Sequence, residues 1–546
     1  MLGSARSVLL RSCPDAAGDA RLLGLFSLSL VVALVGGASF IFDLRTLRPL
    51  GLCWNASADQ SFALWVHILW PVAVALAPLS YRNGFFGVCL YLFVNLSIQG
   101  SESAARSLLA DGALDWLIGL ISLSYFLATS EFLSTPEAGG KQRPATLRQP
   151  AVICLIALAF WVAVCWLVRY SAGEMGEPRV YRRPILWLHC LAIFWIAAES
   201  LSDQGKRVGL VAFLAFCLAW RVAVTPHSLW LEGHVASFLV FLLPWALLAA
   251  FRPLEQPLWL AGLYSLLAFV WVSSLWNEPS FTAEWLQQRF GPSSVVALAV
   301  VAVTLFWLVP QAVWGQAYFL ACTLAILATV LMIQNRGAAL GAAATLLVAA
   351  LLAPPTWRLR FPVLGLVVFA VIAGARYEPL AERFRRSLRE GGSGQERLEL
   401  WRIAWQSSHQ HPWFGVGPGQ FPHIVRQYQP DMSSRLDTHQ SWLEMLSETG
   451  WPGAILFTGF WLLVVAAAMA ELLAGQGESG GLAGRDPSSR SGTWVARATL
   501  AFFFGYLVIG LFGSRHNVPL VYALAALPIS VRLARASGSL PSKGPA

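Results

Sequence analysis

Charge is what this sequence has least of. Asp, Glu, Lys and Arg make up 12% of its 546 residues, and hydrophobic residues make up 57%. Soluble domains carry about 25% charged residues, so a soluble multidomain protein is excluded. Cysteine is sparse too. There are eight, and none are paired as CxxC. Cys154, Cys165, Cys190, Cys217 and Cys322 lie inside apolar runs and read as small buried hydrophobes, which excludes a disulfide framework. The net charge is +9, yet the basic residues sit in short loops between apolar runs instead of forming a stripe. That distribution suits the positive-inside rule and gives no reason to expect a nucleic-acid partner.

What the chain does have is long apolar runs and aromatics, with 25 Trp, 32 Phe and 11 Tyr. Aromatic side chains favour the membrane–water boundary, so a polytopic all-α membrane protein is expected. A span needs about 20 apolar residues, and on that measure the chain holds about sixteen. They fall near 22–42, 61–79, 84–98, 113–133, 150–168, 184–202, 208–224, 234–251, 257–275, 293–313, 316–334, 337–353, 361–375, 453–473, 495–512 and 518–534. The run after Arg6, Arg11 and Arg21 has no obvious cleavage site and reads as a retained first span following a cytoplasmic segment, 1–21.

Alternate loops, counted from a cytoplasmic N-terminus, hold Arg82; Lys141, Arg143 and Arg148; Lys206 and Arg207; Arg252; Arg358 and Arg360; Arg485 and Arg490; Arg532 and Arg535. This set matches the cytoplasmic side of the positive-inside rule. The remaining parts are an N-terminal bundle at 22–315, three spans within 316–375 that include the Arg-Gly motif, an outer segment at 376–452, C-terminal spans within 453–534, and a cytoplasmic tail at 535–546. The linker 474–494 is rich in Gly and Ser and reads as a flexible connector.

The outer segment breaks the pattern of short connections, and long loops without a role are uncommon. It holds nine Arg, nine Asp or Glu, and His409, His411, His423 and His439. "GQERLELWRIAWQSSHQHP" reads as a helix presenting Leu398, Trp401, Ala404 and Trp405 on one face and ended by Pro412. "WFGVGPGQF" is a turn that needs positive φ at one or more of its glycines. In "LDTHQSWLEMLSETGWPG", Asp437 or Thr438 can cap a short amphipathic helix starting near His439, with Leu443 and Leu446 on the histidine's face. Gly450 and Pro452 are its stop signals. The helix is expected at the outer membrane surface with His439 exposed at its N-terminal end. A helix N-terminus disfavours an imidazolium, which keeps that histidine neutral and able to accept a proton. A lone histidine there is more often only a polar surface residue. Arg336, between two apolar runs, falls on the same outer side by the loop count. Its bland reading is an arginine snorkelling from the end of a span. Its functional reading is an anion site, made approachable by Gly337, Ala338, Ala339 and Gly341.

Arg336-Gly337-Ala338 opening a span, Arg397 before Trp401, "HPWFGVGPGQF", and His439-Gln440 ahead of Gly450 occur in an order that resembles the O-antigen ligase and polymerase superfamily. The resemblance covers about 316–473; Gln440 stands where Asn is more usual, and the extra N-terminal spans exceed the usual ligase. It implies a C-type (GT-C) glycosyltransferase architecture with a large helical periplasmic loop, in a bacterial inner membrane. It implies transfer of a glycan from a polyprenyl-pyrophosphate carrier to an acceptor hydroxyl on lipid or glycan, with inversion. Arg336 and Arg397 would hold the pyrophosphate and His439 would act as base. Gly415, Gly417, Gly419, Gln440 and Arg402 would support the loop. No metal and no cofactor are expected, and no Asp-x-Asp or His-x-x-x-His pair lies in an outer loop. A polymerase and a protein O-oligosaccharyltransferase share this pattern. A non-enzymatic flippase or transporter is the rival from another class, for which Pro71, Pro244, Pro310 and Glu199 within spans speak.

Overall fold

The computed structural model describes residues 24–29, 31, 72–81, 83–98, 108–134, 146–173, 182–201, 206–207, 209–210, 213, 336–352, 393–429, 438, 440–476, 487–512 and 518–536. Among these every regular element is helical. The expected spans at 22–42, 61–79, 208–224, 234–251, 257–275, 293–313, 316–334 and 361–375 lie wholly or largely outside the described residues, as does His439. Among the described residues, three stretches are long and apolar enough to cross a membrane: Pro150–Ser171, Ser441–Ala474 and Thr493–Leu511.

The chain divides into two compact units, one of Met1–Ile98 with Ser103–Ala138 and one of Gln99–Glu102 with Gly139–Ala546. In the first, a 3-10 turn at Ala77–Tyr81 packs with α1 (Gly84–Ile98) and α2 (Leu108–Ser134). Gly87 makes the approach possible, since a Cβ there would meet Ser80 Cβ at 2.8 Å and Ile121 Cγ2 at 2.9 Å.

The second unit holds α3 (Pro150–Ser171), α4 (Arg182–Ser200), α5 (Arg336–Leu352), α6 (Ser393–Gln410), α7 (Phe421–Tyr428), α8 (Ser441–Gln476), α9 (Pro487–Phe512) and α10 (Pro519–Ala536). Lipid is as apolar as leucine, so close shape matching, and not escape from water, must hold such helices together. Two devices supply it. Trp187, Phe457, Phe460, Trp461, Phe503, Tyr506 and Tyr522 interlock between α4, α8, α9 and α10 with ring centroids 5.0 to 6.3 Å apart. Small residues let α5 and α9 touch backbone to backbone. A Cβ on Gly341 would lie 3.0 Å from the Gly505 carbonyl oxygen, and one on Gly505 would lie 2.9 Å from that of Gly341.

These contacts set helix directions. Cys154 on α3 reaches the Leu456 carbonyl on α8, while Trp161 reaches that of Thr449, so α3 and α8 are antiparallel. Gly341 meets Ile509 across from Gly505, so the start of α5 lies beside the end of α9. At one end of the unit Arg207 donates to Ser530 Oγ and Arg535 pairs with Glu471 at 2.9 Å. The stretch of α8 from Trp451 to Glu471 separates that basic end from the 411–450 region by about 30 Å.

Part of the expected flexible linker 474–494 is helical, because α9 already starts at Pro487. Proline fits the first turn of a helix, where its missing N–H costs nothing, and this overrides the Gly and Ser content of the segment.

Candidate functional site

The site is built around a break in α8. The helix continues past Gly450, yet that residue has φ 69 and ψ −173, so a short helix, 441–449, meets a long one at a kink. A kink strands carbonyls on one side and an N–H on the other, and buried orphans must find partners. The glycine-rich loop supplies them. Val416 N–H donates to the Ser447 carbonyl at 2.8 Å and Gly417 N–H to that of Glu448 at 3.0 Å. Trp451 N–H donates to the Pro412 carbonyl at 2.8 Å. Trp161 Nε1 donates to the remaining carbonyl, that of Thr449, at 3.0 Å.

Seating the loop so closely requires glycine. Gly415, Gly417 and Gly419 all have positive φ, as the turn chemistry demanded. At Gly415 a Cβ would lie 2.4 Å from the Glu448 carbonyl oxygen, and at Gly450 one would lie 2.3 Å from that of Trp413. Because the Val416 and Gly417 amides serve the short helix, neither is available to cradle a phosphate.

The other end of the short helix is capped by Gln440. Its side-chain oxygen accepts from Leu443 N–H and its carbonyl accepts from Glu444 N–H at 3.0 Å. This is the N-cap role, and Thr438 does not take it; Asp437, the other expected cap, lies outside the described residues. Thr438 instead braces the cap. Its hydroxyl accepts from Gln440 N–H at 3.2 Å and lies 2.9 Å from the Gln440 carbonyl oxygen and 3.3 Å from Glu444 Oε2. An asparagine would cap with a shorter chain; glutamine performs the same task.

The short helix does not lie on a surface. Ser441, Glu444, Met445, Leu446, Ser447, Glu448 and Thr449 are all buried, because α6, α7 and the loop cover one side while α3 and α9 cover the other. Its two buried glutamates, one turn apart, were unexpected in a helix read as lying at the membrane surface.

The face that α6 turns inward also differs from expectation. Leu400, Ile403, Ala404, Ser407 and Ser408 are buried, whereas Leu398 is 61% and Trp405 48% exposed. Serines can occupy a core stripe when their hydroxyls bond back to their own helix. Ser407 Oγ reaches the Ala404 carbonyl and Ser408 Oγ that of Trp405. That possibility shifts the stripe to i, i+3, i+4, i+7, i+8. α7 was not foreseen. Pro422 in its first turn and the Phe421, Val425 spacing were the available signals; both side chains pack on Leu400, Ile403 and Ala404.

The candidate residues are distributed as follows. Trp401 Nε1 donates to the Thr438 carbonyl at 2.9 Å, so α6 touches the chain one residue before position 439. Arg397 is half-buried one turn earlier on α6, and residues four apart share a helix face. Arg336 is the first residue of α5. The Gly341–Gly505 crossing carries that end of α5 toward the end of α9, where Gly510 packs against Trp442, its would-be Cβ 2.8 Å from Cζ3 of that ring. The backbone at 336, the α6 face bearing Arg397, Thr438 and the 440–442 stretch thus belong to one end of the unit. Arg402 stands apart: it is exposed and forms an i,i+3 pair with Glu399 at 2.8 Å. Such a surface pair contributes at most about 1 kcal/mol and gives no support to the loop.

Residues 320–458 match a protein-family model described as O-antigen ligase. No curated protein matches the chain. The matched segment takes in α5, α6, the glycine-rich loop, α7 and the kinked first part of α8.

Proposed function

We propose, from the premise that residues 320–458 place the chain in the O-antigen ligase superfamily, that it is a multi-pass C-type glycosyltransferase. It moves a glycan from a polyprenyl-pyrophosphate carrier to an acceptor hydroxyl at the periplasmic face of an inner membrane. The acceptor is lipid A-core or another glycan. Its substrates meet at a boundary by chemical necessity, since the carrier lives in lipid and the sugar in water.

The observation that carries the reading is the contact of Trp401 with the Thr438 carbonyl. It brings the helix bearing Arg397 against the cap of the short helix, next to residue 439. In this mechanism Arg336 and Arg397 hold the pyrophosphate with forked, permanently charged donors and stabilise it as it leaves. His439 takes the proton of the acceptor hydroxyl as that oxygen attacks the anomeric carbon from the face opposite the departing pyrophosphate, which inverts the centre. Gln440, Thr438 and the glycine-rich loop fix both ends of the helix that carries the base.

Purified protein in liposomes should transfer glycan from a polyprenyl-pyrophosphate donor to a lipid acceptor; no product with either lipid or glycan acceptors sinks the proposal. Arg336→Ala and Arg397→Ala should each weaken donor binding and transfer together. The loss of one charge-assisted bond to phosphate corresponds to about 1.5–3 kcal/mol. Arg→Lys should recover only part, because an ammonium cannot form the fork.

Topology gives a second check. The basic end of the second unit, with Arg207 and Arg535, is opposite the loop, and positive residues favour the cytoplasm. Ser408 is buried and unsuitable for labelling, whereas Gln406 next to it is exposed. An impermeant thiol reagent added to intact spheroplasts should label Gln406→Cys and spare Ser542→Cys. The reverse pattern would overturn the orientation.

A further inference from the structure

The segment matched by the family model begins at residue 320, yet the glycine-rich loop and the kink are gripped from well outside it. One face of α3 does this with three side chains spaced four apart, Trp161, Cys165 and Arg169. Trp161 stacks on Phe414 with ring centroids 5.4 Å apart and an interplanar angle of 14°, and its indole N–H serves the Thr449 carbonyl. Cys165 Sγ approaches the same carbonyl at 3.7 Å. Arg169 donates from Nη2 to the Gly415 carbonyl, and its Cβ and Cγ lie 3.3 and 3.2 Å from where a Cβ on Gly417 would be. Every one of these contacts falls on the loop or on the residue before the kink.

We infer that α3 is part of the catalytic apparatus, with Arg169 a positioning residue that locks the glycine-rich loop onto the C-terminal end of the short helix and so sets the placement of the base at its other end. The inference rests on the function proposed above. Distance decides between this role and that of a third donor ligand. Arg169 engages the loop at the 447–450 end, and a nine-residue helix is about 13 Å long. That span separates it from the 439–441 end, where the pyrophosphate and acceptor would meet.

The loop depends on such a grip because its amides are divided between two elements. Val416 and Gly417 bond to the short helix, while Gly415 N–H bonds to the His411 carbonyl at the end of α6. The carbonyl of Gly415 is taken by the Arg169 guanidinium. Without that donor a buried acceptor is stranded, and the loop has a reason to turn outward and release the Ser447 and Glu448 carbonyls.

The test uses the full chain in lipid nanodiscs, with Arg169→Ala, Arg169→Lys and Trp161→Phe beside wild type. Two readouts are needed. Hydrogen–deuterium exchange over 411–420 and 444–452 should be about tenfold faster or more in Arg169→Ala than in wild type, and close to wild type in Arg169→Lys, whose ammonium can still donate to one carbonyl. Steady-state transfer should show kcat reduced about tenfold or more in Arg169→Ala with donor KM little changed, since a misplaced base slows chemistry without loosening the donor. Arg169→Lys should recover most of that kcat, unlike the partial recovery expected at Arg336 and Arg397. Unchanged exchange in Arg169→Ala overturns the inference. So does faster exchange with unaltered kcat, and so does a loss that appears as a raised donor KM which Lys fails to restore. If Arg169→Ala does not fold, the inference stands or falls on Trp161→Phe, which keeps the ring and removes the donor to Thr449; it must raise exchange over 444–452 and lower kcat. If wild type transfers no glycan while exchange in Arg169→Ala rises as stated, the proposed function falls and the clamp remains as a structural element without a catalytic role.

Discussion

On the proposed mechanism, His439→Ala should lower transfer about 100-fold or more while the protein still inserts, folds and binds the lipid-linked donor. General-base catalysis is worth about 10²–10⁴ in rate, and two histidines of the same segment are engaged elsewhere. His409 bonds through Nδ1 to the Trp405 carbonyl on the exposed side of α6, and His423 is within 3.1 Å of Gln427 on α7. The donor should bind as before, because the proposed mechanism gives the pyrophosphate to Arg336 and Arg397 and the acceptor to the base. The measurement is single-turnover transfer with donor preloaded, beside equilibrium donor binding on the same preparation. Full activity in an equally expressed His439→Ala protein would mean that the histidine is only a polar residue near a helix start.

Gly450→Ala is the second large effect. It combines two penalties at one atom. A non-glycine residue held at φ 69 costs about 1–3 kcal/mol. The added Cβ would also lie 2.3 Å from the Trp413 carbonyl oxygen and 2.5 Å from that of Pro412, so backbone must move. The loop is then forced off the kink, and with it go the bonds from Val416, Gly417 and Trp451. We expect transfer to fall about 100-fold or more, with exchange over 411–420 rising to loop-like rates. Gly459→Ala, nine residues further along the same helix, is the control. Among the described residues its Cβ would meet Cys154 Sγ alone, at an ordinary 3.6 Å, and activity should stay within about twofold of wild type. Equal damage from both would show that α8 tolerates no side chain at all, and the special status of the kink would be lost.

The two effects differ in how visible they were beforehand. Gly450 and Pro452 announced an interruption, and the glycine-rich turn announced positive φ at one or more of its glycines. Each is a local requirement on one residue's backbone, which is the kind of requirement a sequence states directly. The start of α6, its end before Pro412 and the position of α5 were legible for the same reason. The inward face of α6 was misread because apolarity alone was used to find it, whereas Ser407 and Ser408 are buried with their hydroxyls turned back on their own helix. The short helix was misread as a surface element because its carboxylates and hydroxyls are ordinarily exposed; packing by elements distant in the chain buried them.

The sequence pointed to an all-helical membrane protein through the rarity of charge and the length of the apolar runs. It also contains an order of Arg-Gly, Arg, glycine-rich turn and His-Gln that resembles the O-antigen ligase and polymerase superfamily, and residues 320–458 match the family model of that description. These follow from composition and from spacing along one chain. Helix packing, in contrast, chose which groups satisfy the carbonyls stranded at Gly450. They come from the loop at 416–417, some 30 residues away, and from Trp161, nearly 290 residues away. Among the described residues it also decided that Arg402 faces away while Trp401 meets Thr438, and that α3, which reads only as another apolar span, holds the loop with Arg169. A kinked, buried helix must find hydrogen-bond partners wherever the fold brings them. Nothing in the local pattern of Trp161, Cys165 and Arg169 names the backbone they serve, so that assignment waits until the helices are packed.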